Sequence, residues 1–204
     1  MSEVAAEHAG HGAELTVDEH FGTATDGKVG MWIFLLTDAM SFSGLLLGYG
    51  ILRAGSHDWP NPAERLGIPS TAVMTFALIC SSVSMVLALE SAKQRDRKAL
   101  LRWLGLTILG GLFFLGGQVR EYTHLIREGH VLSQDQFMST FYSVTGFHGL
   151  HVFTGVTYLT VIFIRALRGH YVNGDYNHIE ICGLFWHFVD LVWILVFTFV
   201  YLIQ

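Results

Sequence analysis

The chain has 204 residues, of which 51% are hydrophobic and only 14% charged, and it carries a formal net charge of −5. A soluble domain of this length would carry more charge, spread along amphipathic faces, so the composition excludes an ordinary water-soluble globule. Little chain is left outside the long apolar stretches; any chemistry must lie in the membrane or be supplied by partner chains, and no nucleic-acid partner is expected.

The first 27 residues hold six carboxylates (Glu3, Glu7, Glu14, Asp18, Glu19, Asp26), three histidines (His8, His11, His20) and no Lys or Arg. That start lacks both the basic region and the apolar core of a cleavable signal peptide. Residues 1–27 are expected to form an acidic, disordered cytoplasmic tail, and 28–204 a five-helix transmembrane domain. Five stretches, near 29–52, 70–91, 99–123, 138–165 and 181–203, are long enough to cross roughly 30 Å of hydrocarbon at about 1.5 Å per helical residue. The fold class is therefore all-α, an integral membrane bundle.

In the first span Gly30, Phe34, Thr37, Ser41, Gly44 and Gly48 recur at three- and four-residue steps, a mostly small stripe suited to close packing of another helix. Beside it, near mid-span, stands Asp38. A carboxylate there costs about 2.5–3.5 kcal/mol on insertion scales, so it should face protein or a polar cavity. It either exchanges protons or makes an interhelical hydrogen bond. The loop from Arg53 to Pro69 holds all three prolines and separates the first two spans.

Cys80 and Cys182 both fall inside spans and read as buried small apolar side chains. After the second span comes a short basic run, Lys93 to Arg102, which reads as a topology anchor. The third span puts Gly110, Gly117, Glu121 and His124 on one stripe, with Gln118 one step away; Arg120 and Glu121 near its end are expected to pair with each other, with other helices or with lipid headgroups. In the fourth span His148 and His151 share a face continued by Gly155. In the fifth, Glu180, His187 and Asp190 share a face flanked by Trp186 and Trp193.

Lys and Arg in the short loops set orientation. One side holds Lys28, the run Lys93, Arg95, Arg97, Lys98 and Arg102, and Arg165 with Arg168; the other holds Arg53, Arg65, Arg120 and Arg127, a bias of eight to four. The N-terminus is thus expected in the cytoplasm and the C-terminus outside. Haem held between helices needs histidines at matched depth, and a haem-copper centre needs several converging on one point. His124, His148, His151 and His187 show no such pattern, so no metal ligand set is read here and interhelical hydrogen bonding is the better account of them.

Four motifs then make the chain recognisable: Lys28-Val-Gly-Met-Trp-Ile-Phe-Leu-Leu-Thr-Asp38, Gln118-Val-Arg-Glu-Tyr122, Thr145-Gly-Phe-His-Gly-Leu-His151 and Phe185-Trp-His-Phe-Val-Asp-Leu-Val-Trp193 with Tyr201 beyond it. In this order, from about Lys28 to Gln204, they resemble the subunit III family of haem-copper terminal oxidases. Longer members have seven helices, the first two set off by a lipid-filled cleft; this chain resembles the short bacterial form. The resemblance implies a subunit with no catalytic residue, metal or redox centre of its own, packed directly on subunit I, which holds haem and copper. Subunit II, with copper if the donor is cytochrome c, and small subunits would complete a multi-pass complex of the bacterial inner membrane that reduces oxygen to water and pumps protons. The resemblance also implies that Asp38 is the membrane carboxylate tied to proton uptake and turnover stability. Arg120, Glu121, His148, His151, Glu180, His187 and Asp190 would form a polar interhelical or lipid-headgroup network, with structural phospholipids. Asp38, where most cytochrome c oxidase members carry glutamate, looks more like the quinol-oxidising branch, whereas the Gln118–Tyr122 and Thr145-Gly-Phe elements look more like the cytochrome c branch. A small proton-coupled transporter, a haem-binding quinone-reactive anchor and a pure scaffold are the competing functions.

Overall fold

The computed structural model describes residues 25–171 and 176–203; the segment read as an acidic tail lies, up to residue 24, outside the described residues. The elements in order are α1 (Asp26–Gly55), the single turn α2 (Pro62–Arg65), α3 (Ile68–Lys93), α4 (Arg97–Arg127), α5 (Gln136–Leu167) and α6 (Asn177–Val196), which runs on into a π-helical turn (Phe197–Leu202). There is no strand among the described residues. α1, α3, α4, α5 and α6 with its π turn are each long and apolar enough to cross a membrane. The five expected spans are all present.

Most of the helices overrun the expected spans because capping chemistry, not the edge of the hydrocarbon, decides where they end. α4 starts after Asp96, whose carboxylate accepts from the Lys98 and Ala99 N–H groups at 3.0 Å each, and α5 starts after Asp135, which accepts from the Met138 N–H at 2.7 Å. α4 and α5 end on Gly129 (φ 86°) and Gly169 (φ 81°). The following N–H groups reach back to Leu125 O at 2.9 Å and Arg165 O at 3.2 Å, which satisfies the last carbonyls in the left-handed closure that favours glycine.

α3, α4, α5 and α6 form a closed ring, each packed on the next, and α1 lies outside it against α5 and α6. Glycine sets the approach within the ring. A Cβ at Gly110 would sit 2.6 Å from the Ser81 Cβ, one at Gly117 would strike the Met74 sulfur, and ones at Gly111 and Gly155 would lie 2.7 and 2.9 Å from the Trp186 ring. The two indoles of α6 are tied to α3, Trp186 Nε1 donating to Ser81 Oγ at 3.2 Å and Trp193 Nε1 to Thr75 Oγ1 at 2.8 Å. Away from water such polar contacts, together with van der Waals packing, hold helices together.

Two expectations are corrected. Among the described residues the small stripe of α1 receives no close-packed helix: Gly30 and Gly44 have nothing within 4 Å of where a Cβ would be, the exposed Thr37 and Ser41 hydroxyls bond back to their own helix, and only the Phe34 ring reaches α6, 6.1 Å from that of Phe185. α1 buries Leu35, Asp38, Phe42 and Tyr49 instead, because its larger side chains on that side reach α5 and α6. Cys182 is buried as expected, but Cys80 is exposed, since the buried register of α3 runs through Leu78 and Ser81.

Candidate functional site

Asp38 lies ten residues from Lys28, or about 15 Å along the helix. Fifteen residues further on, Arg53 Nη1 donates to Ile203 O at 2.8 Å, while Lys28 Nζ pairs with Glu180 at 2.8 Å. Both ends of α1 are thus pinned by cations to α6 and its π turn, and the carboxylate sits between the pins at mid-span.

Asp38 is 7% exposed, and its Oδ1 lies 3.2 Å from His151 Nε2. The other ring nitrogen, Nδ1, is 2.8 Å from Phe147 O. A carbonyl oxygen only accepts, so Nδ1 carries a proton. The Nε2–Oδ1 contact then holds a single proton. Whichever partner keeps it, the pair has no net charge, which is how a carboxylate and an imidazole together avoid most of the cost of ionic groups in hydrocarbon. Phe42 and Phe147 flank the His151 ring at centroid distances of 5.2 and 4.7 Å, shielding the contact. Asp38 Oδ2 has no hydrogen-bond partner among the described residues. The geometry can store one proton and pass it along one hydrogen bond.

The remaining expected site residues do not join into one network. His148, three residues before His151, is fully buried between Phe114 and Trp193, with ring centroids 5.6 and 4.8 Å away; neither ring nitrogen has a hydrogen-bond partner among the described residues, so the interhelical hydrogen bond expected of it is replaced by packing between aromatic rings. Glu180, His187 and Asp190 share a face of α6 but divide between two neighbours: Glu180 turns to Lys28 of α1, whereas His187, whose Nδ1 lies 2.7 Å from Ser82 Oγ, and Asp190 both meet Ser82 of α3. Asp190 is buried, and its Oδ1 has no partner among the described residues. Glu121 accepts from Thr71 Oγ1 at 3.3 Å and Tyr201 OH at 3.2 Å, and Arg120 beside it is exposed. Among the described residues no three His, Cys, Asp or Glu side chains converge to hold a metal ion.

Sequence reasoning passed over α3, which supplies hydroxyls to its neighbours from Thr71, Thr75, Ser81, Ser82 and Ser84, the last within 2.7 Å of Thr107 on α4. Their recurrence along a single helix was the available signal. A second omission is a relay joining two of the motifs. Thr145 Oγ1 donates to Phe141 O at 2.7 Å, so Tyr122 OH donates to Thr145 Oγ1 at 2.6 Å, and Gln118 Nε2 donates to Tyr122 OH at 3.1 Å and to Thr145 O at 2.7 Å. Gly149 leaves room for this glutamine, whose Oε1 would lie 2.6 Å from an added Cβ. The glutamine and tyrosine of α4 and the threonine and second glycine of the α5 motif are therefore one packed unit.

Known proteins resemble this chain over nearly its whole length. The family model described as cytochrome c oxidase subunit III matches residues 12–204. A cytochrome c oxidase subunit 3 of Corynebacterium diphtheriae is 36% identical over 180 residues, covering 87% of this chain and 88% of that protein. A cytochrome bo(3) ubiquinol oxidase subunit 3 of Pseudomonas aeruginosa is 35% identical over 173 residues, 85% of this chain and 83% of that one. A quinol oxidase subunit 3 of Bacillus subtilis is 32% identical over 197 residues, 96% and 97% of the two chains.

Proposed function

This chain belongs to the cytochrome c oxidase subunit III family, and from that premise we propose that it uses the Asp38–His151 pair to support proton uptake by the core of a cytochrome c oxidase. It is a multi-pass membrane subunit of a haem-copper oxidase; the bacterial inner membrane, the cytoplasmic N-terminus and outer C-terminus, and bound phospholipids complete this reading. Subunit I, with its haems and copper, is the direct partner, the complex reduces oxygen to water, and this chain alone does not. The observation that carries the reading is the shielded one-proton contact between α1 and α5. Among the described residues α1 is also the least buried of the five spans.

Asp38→Asn in the intact complex is the test. The amide keeps the shape of the side chain but removes the exchangeable acid, so oxygen consumption should begin near the wild-type rate while proton uptake slows and the enzyme inactivates earlier during turnover. Unchanged proton uptake and lifetime would leave Asp38 a packing residue. Cytochrome c as donor is supported by the family description and by the Gln118–Tyr122 element. The quinol reading is favoured by relatives of nearly equal identity that are named quinol oxidase subunits. Oxygen uptake by the purified complex with each donor separates the two.

A further inference from the structure

Between α3 and α4, on the membrane face that carries α2, a cavity of about 790 Å³ opens on the outside of the bundle. Adjacent glycines create it in different ways: Gly117 admits the Met74 side chain, whereas Gly116 has nothing within 4 Å among the described residues and leaves the groove open. Its walls toward mid-membrane are apolar, with Val73 and Phe113 exposed to it. Its other end is charged, lined by Arg65, Arg120, Glu121 and Glu128. From Phe113 to Arg120 the helix rises about 10 Å, so apolar wall and charged mouth are stacked along the membrane normal as chain and headgroup are in a lipid.

The mouth is selective in charge. Arg65 is committed to Asp135, Glu128 pairs with His124 at 3.3 Å and Glu121 receives two neutral hydroxyls. Arg120 has no carboxylate partner among the described residues. One uncommitted guanidinium beside two carboxylates fits a group that is both anionic and cationic. A phosphate takes the guanidinium, and a primary ammonium donates to the carboxylates. A choline headgroup has no N–H to give Glu121, and a purely anionic one would face two like charges.

We propose that this groove seats one phospholipid of the ethanolamine class, its phosphate on Arg120, its ammonium toward Glu121 and Glu128 and its upper chain over Gly116. The proposal deepens the lipid binding read above for this subunit and rests on it. The test is native mass spectrometry of the intact oxidase, extracted in mild detergent from membranes and re-equilibrated with vesicles of equal phosphatidylethanolamine, phosphatidylglycerol and phosphatidylcholine. Gly116→Leu fills the groove where nothing would clash, and Arg120→Gln removes the phosphate contact from an exposed position. Each should lower retained ethanolamine lipid about tenfold, Gly116→Leu by occupying the groove and Arg120→Gln by loss of one charge-assisted contact. Gly50→Leu, in a separate apolar groove beside Phe199 and Ile203, should retain it as the wild type does. Wild-type retention in Gly116→Leu and Arg120→Gln, retention without preference for the ethanolamine headgroup, or a partner helix occupying the groove in the complex each overturns this seat while leaving lipid binding elsewhere intact. A wild-type complex stripped of all lipid without consequence overturns the broader reading as well.

Discussion

α1 and α6 are both apolar helices of spanning length, yet in their most apolar stretches 17% of α1 and 56% of α6 with its π turn is buried. α6 lies against α1, α3 and α5 and fixes its indoles with hydrogen bonds; α1 touches the ring along a narrow seam of Leu35, Asp38, Phe42 and Tyr49 and turns Trp32, Ile33, Leu36, Met40 and Leu47 outward. Hydrophobicity alone does not distinguish them. In a membrane an apolar face is at ease against lipid or protein, and what marks an interior helix is close packing and polar bonding. The ring carries most of the close packing among the described residues, and α1 is the span that shares in it least.

The largest expected effect tests the ring. Trp186→Ala opens a void lined by Gly111 and Gly155 and removes the bond to Ser81, which should cost about 3–5 kcal/mol and appear as a collapsed thermal midpoint in detergent. Trp32→Ala on the outward face of α1 should leave that midpoint within about 0.5 kcal/mol. Equal losses in the two variants would end the contrast. Gly111→Leu, driven into the Trp186 ring, should cost about 1–3 kcal/mol by overpacking, whereas Gly44→Leu should leave the chain's own stability alone and weaken its co-purification with the core oxidase. Tyr201→Phe removes one hydrogen bond to Glu121 and should cost about 1 kcal/mol, read from the same melting curves.

The smallest effect lies outside the membrane, at the cap of α5. Burial works against the ionised form of Asp135, but the Met138 N–H together with Arg65 outweighs it and holds the carboxyl below its ordinary value. A depressed folded value means that the stabilisation is complete above the usual carboxylate range and is lost as pH falls through the folded value. The cap should therefore be insensitive between neutral pH and pH 5 and loosen only under stronger acid. Hydrogen exchange at the Met138 amide reports this, and Asp135→Asn should remove the pH dependence.

Much of this architecture was legible beforehand, and the failures share a cause. Periodicity places residues on a face and length places them in the membrane, so the five spans and the glycine contacts of α4 could be read directly. Which neighbour a face meets is not a local property. Glu180 and His187 share a face of α6 yet meet α1 and α3, and the α1 stripe signals close packing without saying whether a helix of this chain supplies it. His151 was visible as a histidine sharing a face with His148 and Gly155; its contact with Asp38 depends on α1 docking across α5, which no spacing encodes. Tyr201 reaches Glu121 from within a π-helical turn, and an extra residue per turn leaves no clear mark in an apolar run.

The Asp38–His151 contact also constrains how the protein is made. A ribosome adding roughly 5–20 residues per second delivers His151 on the order of ten seconds after Asp38. For that interval α1 resides in the bilayer, or in the insertion machinery, with its carboxylate lacking the imidazole that later shares its proton. Docking of α5 is thus the first step that seats α1, the cation pins to α6 following only when Glu180 and Ile203 have been added, and a nascent chain stalled before residue 151 would present α1 as a free helix to quality-control proteases.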